Sequence, residues 1–355
     1  METDIAVKKR RKDLDMAKGI GIILVVMAHS TLMPESVLQV IHGFHIPLFF
    51  IISGMLLSLQ KESTVSLRQH FYKKLKSVML PYALCSVIYI LIQQFAVPVY
   101  GYPETGKSLK ELCIAAISFD GISVLWFLAA LFFGELMFLC LKKHLRDSVL
   151  LGVCLLLSVL ALQGTRLLLA GISPVTFWGL WGIGFVRNIL RSLVATGFLA
   201  VGYMFEKYGK GALEKIPLWA CSFSGLCCLC FSAISSLYNG PVDLHNLVCH
   251  HTFFYFFSAI IGAAFVLLLC RCLCEKRWMG WLSVVGVHSL LIMVTHLDFL
   301  YLYHAVKWGY AVADVSPRAK QYVFYLVIIV SMILLEGMTV QLMKAIKYSF
   351  EKVKR

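Results

Sequence analysis

The chain has 355 residues, of which 59% are hydrophobic and only 15% charged, an apolar excess larger than a soluble chain of this length can bury. Its formal net charge of +14 would suggest nucleic acid in a soluble protein, but the basic residues lie between apolar runs, which excludes a nucleic-acid partner and makes the lipid bilayer the first one. The composition therefore describes an all-α integral membrane protein.

Apolar runs predict a bundle of about ten transmembrane helices, near residues 14–33, 38–59, 77–99, 121–141, 148–170, 188–205, 217–237, 251–274, 282–304 and 322–343. They form a single membrane domain over 1–355, with a basic N-terminus at 1–13 and a basic tail at 344–355. The first run follows a basic stretch as a signal peptide would, but it is long and ends in a poor cleavage site, so it is read as a retained span. Of the 33 Lys and Arg residues, 24 fall on the side that holds the N-terminus, seven on the other side, and two, Lys18 and Arg191, inside spans. The positive-inside rule then places both termini in the cytoplasm, which an even number of crossings requires. The twelve cysteines fall mostly in or near spans without zinc-like spacing and read as packing residues. The chain lacks a P-loop, a dinucleotide fingerprint, a Gly-x-Ser-x-Gly elbow and an HExxH pair.

Ionisable residues within spans each need an explanation, because one near mid-span costs about 2.5–3.5 kcal/mol. In the first span, Lys18 and His29 are separated so that a helix brings both to nearly the same side, with roughly 16 Å between them along the axis. Asp15 can pair with Lys18 one turn away, and Lys18 read alone is also a snorkelling lysine. The second span opens His42-Gly-Phe-His45-Ile-Pro47, which sets His45 at a depth similar to that of His29, beside a proline that frees backbone carbonyls. Further along lie Glu135, Arg191, His288, His296, Asp298 and Glu336. Glu135 and Glu336 fall in the cytoplasmic half, where either could neutralise Lys18; His296 and Asp298 share the outer half with His29.

Three stretches resemble the acyltransferase-3 family of integral membrane O-acyltransferases. The family's signature of a basic residue, ten residues and a histidine matches Lys18 and His29, and its Phe-His-x-Pro-Leu-Phe-Phe-x-x-Ser-Gly segment matches Phe44 to Gly54. Leu125–Leu128 is similar to a later Leu-Trp-Phe-Leu, and Gly286-Val-His-Ser-Leu-Leu-Ile-Met-Val-Thr-His296 to the penultimate-helix pattern. A departure at Val285-Gly286-Val287-His288, where relatives more often carry Gly-Lys-Asn, leaves the role of His288 open.

The resemblance implies transfer of an acyl group, usually acetyl, from cytoplasmic acyl-CoA as co-substrate to a hydroxyl of a cell-surface glycan or a lipid-linked sugar, without a metal, in a bacterial plasma membrane. Acyl-CoA is then expected at the basic cytoplasmic face, held by Arg68, Lys73, Lys74 and Lys76, with Lys18 and Glu135 at the channel mouth. His29 is expected to act as general base, assisted by His45 or by His296 and Asp298. The rival is a transporter, such as the L-serine uptake module that resembles the membrane half of vancomycin-resistance serine racemases, because buried ionisable groups at several depths also suit a proton-coupled pathway. Homo-oligomerisation is left open by the sequence.

Overall fold

The computed structural model describes residues 11–29, 33–60, 66–96, 107–172 and 176–296. The regular elements among them are helical, apart from one isolated bridge between Asp243 and Val248. The helices are α1 (Lys12–Ala28), α2 (Glu35–Ser58), α3 (Leu67–Lys74), α4 (Leu80–Leu91), α5 (Leu109–Ile117), α6 (Trp126–His144), α7 (Asp147–Ala170), α8 (Phe177–Met204), α9 (Lys210–Lys215), α10 (Leu218–Asn239), α11 (Thr252–Leu273), α12 (Gly280–Val287) and α13 (Ser289–Thr295). A π-helical segment, Leu75–Met79, joins α3 to α4, and a second, Phe205–Gly209, joins α8 to α9.

Among the described residues, seven helical stretches are long and apolar enough to cross a membrane, or eight if the bent pair of α12 and α13 counts as one span. α1 has 17 residues, the short end of what spans a bilayer. The predicted sixth span begins upstream of its expected start, at Phe177, where the Thr176 hydroxyl accepts from the Gly179 amide and caps the helix, and Arg187, expected outside the span, lies within it and pairs with Asp120. The described part of the predicted ninth span, up to His296, belongs to two short helices that meet at 56° around His288. The predicted tenth span and the basic tail lie outside the described residues.

Glycines set the closest helix contacts. At Gly54 of α2 an added Cβ would run into the Leu199 carbonyl of α8, and at Gly202 of α8 into the Ile51 carbonyl of α2. Gly19 of α1 and Gly286 of α12 meet in the same way, each against the other helix's backbone, the small-residue packing that apolar helices need when no hydrophobic force drives them together. α1 is thereby held centrally, with Leu14, Met16, Ala17, Ile22 and Val25 all buried. Pro47 lies inside α2 without ending it. Capping boxes, Ser66 with Gln69 and Ser108 with Glu111, open α3 and α5.

Four of the basic residues that the charge asymmetry assigns to one side, Arg11, Lys207, Lys210 and Arg271, lie close together. Arg11 pairs with Glu206 at 2.7 Å, Lys207 with Asp147 at 2.7 Å, and Lys210 with Glu206 at 3.4 Å. Arg271 donates to the carbonyls of Glu214 at 2.9 Å and Ile216 at 2.7 Å. These contacts tie the start of α1 to α7, α9 and the end of α11.

Candidate active site

The other end of α1 delivers His29, the residue that caps the helix, to a cavity of about 700 Å³. Its walls include His42 and His45 of α2, Trp126 of α6, and Asp243 and His245 of the 240–251 loop. That loop is ordered by its own polar groups: Asp243 and Val248 exchange backbone hydrogen bonds of 3.0 and 2.8 Å, and the Asp243 carboxylate accepts from the Asn246 amide at 3.1 Å and its side chain at 2.6 Å. At the loop's far end, Asn239 accepts from the His251 amide at 2.8 Å.

Three histidines share one hydrogen-bonding arrangement. Nδ1 lies 2.8 Å from the Val25 carbonyl in His29 and 2.7 Å from the Ile41 carbonyl in His45. In His296 it lies 3.0 Å from the Ile292 and 2.9 Å from the Met293 carbonyl. A carbonyl can only accept, so each Nδ1 carries the proton and each neutral ring is left with a bare Nε2. The Nε2 of His296 lies 3.5 Å from His29 Nδ1, and the two rings meet edge to face with centroids 5.1 Å apart. His296 is fully buried behind His29, whereas His29 is half-buried on the cavity wall. His45 is buried and its ring lies 5.4 Å from that of His42. The sequence expectation that His29, His45 and His296 occupy one region therefore agrees with their placement; Asp298 lies outside the described residues.

His245 stacks on Trp126 with ring centroids 5.8 Å apart. Burial, and then the nearby Arg191 cation, push its pKa down to about 4, so it is neutral at pH 7.

Lys18 sits on the same helix toward the opposite end and pairs with Asp15 at 2.7 Å, the partner expected one turn away. Glu135 does not serve Lys18: its carboxylate is buried on α6 between His70 Nε2 at 2.9 Å and Lys74 Nζ at 2.7 Å. This clamp holds α3 on the bundle and commits Lys74 to Glu135. Arg68 lies over the Tyr72 ring, 5.8 Å from its centroid, while Lys73 and Lys76 are exposed. The structure thus brings the cavity histidines together, commits Lys74 to Glu135 and lays Arg68 over Tyr72, and leaves Lys73 and Lys76 exposed.

Sequence reading missed His70 as the partner of Glu135, because nothing local links them. It also missed Asp243 and His245, whose only signal is an Asp-Leu-His-Asn turn between two spans. Among the described residues no group of three His, Cys, Asp or Glu side chains is arranged to hold a metal ion.

Chemically, a histidine with Nδ1 anchored and Nε2 bare, facing a cavity lined by further polar groups, is equipped to take a proton from a bound hydroxyl. Residues 11–337 match the model of a family described as an acyltransferase domain. No curated protein matches the chain.

Proposed function

The chain belongs to the acyltransferase-3 family, and we propose that it is a membrane O-acyltransferase moving an acyl group, acetyl in the simplest case, from acyl-CoA to a hydroxyl of a cell-surface or lipid-linked glycan. The observation that carries this reading is His29, with its Nδ1 hydrogen-bonded to the Val25 carbonyl and its ring on the cavity wall. The acceptor hydroxyl enters from the cavity, its oxygen attacks the thioester carbonyl, and His29 Nε2 takes the proton. The C–S bond then breaks and the departing CoA thiolate takes the proton from His29, which restores the neutral ring. His296 behind it stabilises the imidazolium through the 3.5 Å contact, His45 offers a second bare nitrogen, and Asp298 follows two residues after His296.

Acyl-CoA approaches from the opposite end, where the net positive charge attracts its phosphates. Lys18 marks the way inward, roughly 16 Å along α1 from His29. In this reading the exposed Lys73 and Lys76, together with Arg68, collect the nucleotide, and Glu135 contributes by holding α3 and Lys74 in place. The family match lends no support to the alternative of L-serine uptake.

The test is His29→Ala in purified protein, assayed for release of CoA thiol from acetyl-CoA in the presence of surface glycan. Transfer should fall at least ~100-fold, the scale of general-base catalysis, with helical content unchanged. Retained transfer would remove His29 from the mechanism.

A further inference from the structure

Arg191 lies within α8, is among the largest fully buried side chains of the described residues, and has no part in the reaction above. Its guanidinium reaches two segments far from it in sequence, the turn that leads from Asp120 to Trp126 and the loop that holds His245. Nε donates to the His245 carbonyl at 2.7 Å, and Nη2 to the same oxygen. Nη1 donates to the Asp120 carbonyl at 2.8 Å, and Nη2 pairs with the Asp120 carboxylate at 3.0 Å. The cation lies 5.2 Å from the centre of the Trp126 ring. Neutralising a buried cation needs only the Asp120 carboxylate; the donations to two main-chain carbonyls go beyond that.

A second observation coincides with the first. The non-glycine residues with positive φ among the described residues are Phe119 at 60°, Ser123 at 53° and Leu247 at 56°. Each lies within three residues of a carbonyl that accepts from Arg191. Such conformations are unfavourable for side-chain-bearing residues and persist where the surroundings over-determine them. Close to these strained points stand Trp126, Asp243 and His245, which line the cavity together with His29.

We propose that Arg191 is a positioning residue, which holds the 119–123 turn and the 243–248 loop in their strained conformations and so builds the acceptor-side wall of the cavity. Its activity arm rests on the acyl-transfer reading; its structural arm does not.

The experiment compares full-length parent protein in detergent with Arg191→Lys, Arg191→Met and Arg187→Gln. Lysine keeps the positive charge but loses the planar fork that serves two carbonyls together. Amide hydrogen exchange in 119–123 and 243–248 should accelerate at least tenfold in Arg191→Lys, and more in Arg191→Met, while the His29 end of α1 stays protected. Arg187→Gln, which removes only a 2.9 Å pair with the Asp120 carboxylate, should leave 243–248 within twofold of the parent. With acetyl-CoA and a digest of surface glycan, Arg191→Lys should lose at least tenfold in kcat while the KM for acetyl-CoA stays within twofold. Parent-like exchange in both segments of Arg191→Lys would overturn the proposal even if Arg191→Met fails to fold. A parent protein that releases no CoA would instead sink the acyl-transfer reading, and the exchange data would still decide the role of Arg191.

Discussion

Gly286→Ala perturbs the site from a distance. A Cβ at position 286 would stand 2.7 Å from the Asp15 carbonyl carbon and 2.8 Å from the Gly19 amide nitrogen, and closer still to the Asp15 carbonyl oxygen, where ordinary contact begins at 3.4 Å. The obstacles are backbone atoms of a central helix, so no side-chain rotation relieves them. Clearing the carbon alone takes a retreat of α12 from α1 by about 0.7 Å, and clearing the nearer carbonyl oxygen takes more; overpacking of this kind costs roughly 1–3 kcal/mol. α12 leads directly into α13 and His296, whose contact with His29 is already 3.5 Å long. A shift of this size breaks that contact, and misplacement by ~1 Å can cost about 100-fold in rate. Thermal unfolding and CoA release from acetyl-CoA should therefore both change: a lower transition temperature and a turnover reduced by one to two orders of magnitude. An alanine variant that melts with the parent and turns over at the parent's rate would refute the link between this helix contact and the histidine pair.

Three further outcomes follow from the same contacts. Lys18→Met should raise the acetyl-CoA concentration needed for half-saturation about tenfold, the equivalent of ~1.4 kcal/mol, with a smaller change in kcat; an unchanged half-saturation would argue against a donor-side role. Glu135→Gln should destabilise by ~3–5 kcal/mol, because it breaks a buried pair and leaves His70 and Lys74 without their carboxylate; limited proteolysis at 60–76 should then quicken, and unaltered cleavage would show that the clamp does not hold α3. His245 has a folded pKa of about 4 against an ordinary 6.5, so as pH falls from 6.5 toward 4 the unfolded chain gains a proton that the folded loop refuses, and stability declines across that window. His245→Asn, which keeps the backbone carbonyl for Arg191, should show a shallower fall in melting temperature between pH 6.5 and 4.5; parallel curves for parent and variant would remove His245 as the titrating group.

Much of this protein is legible in its sequence through local physics. Hydropathy marks the helical runs because a bilayer-spanning helix needs a continuous apolar stretch. The spacing of Lys18 and His29 sets roughly 16 Å of one helix between them, since both belong to a single regular element whose geometry is the same in every protein. The Asp15–Lys18 pair is readable for the same reason.

Contacts between distant segments are not. His29 meets His296 across 267 residues, and Arg191 reaches the Asp120 carbonyl across 71 and the His245 carbonyl across 54. Glu135 can be recognised as a costly buried charge, but its choice of His70 and Lys74 over Lys18 depends on where α3 packs. Hydrophobic length and helical pitch act along the chain, so a helical membrane protein with a histidine just past its first helix can be read without any tertiary contact. Which charges neutralise one another and which loops close the cavity depends on packing, because buried polar groups must be satisfied by whatever donor or acceptor it brings within about 3 Å.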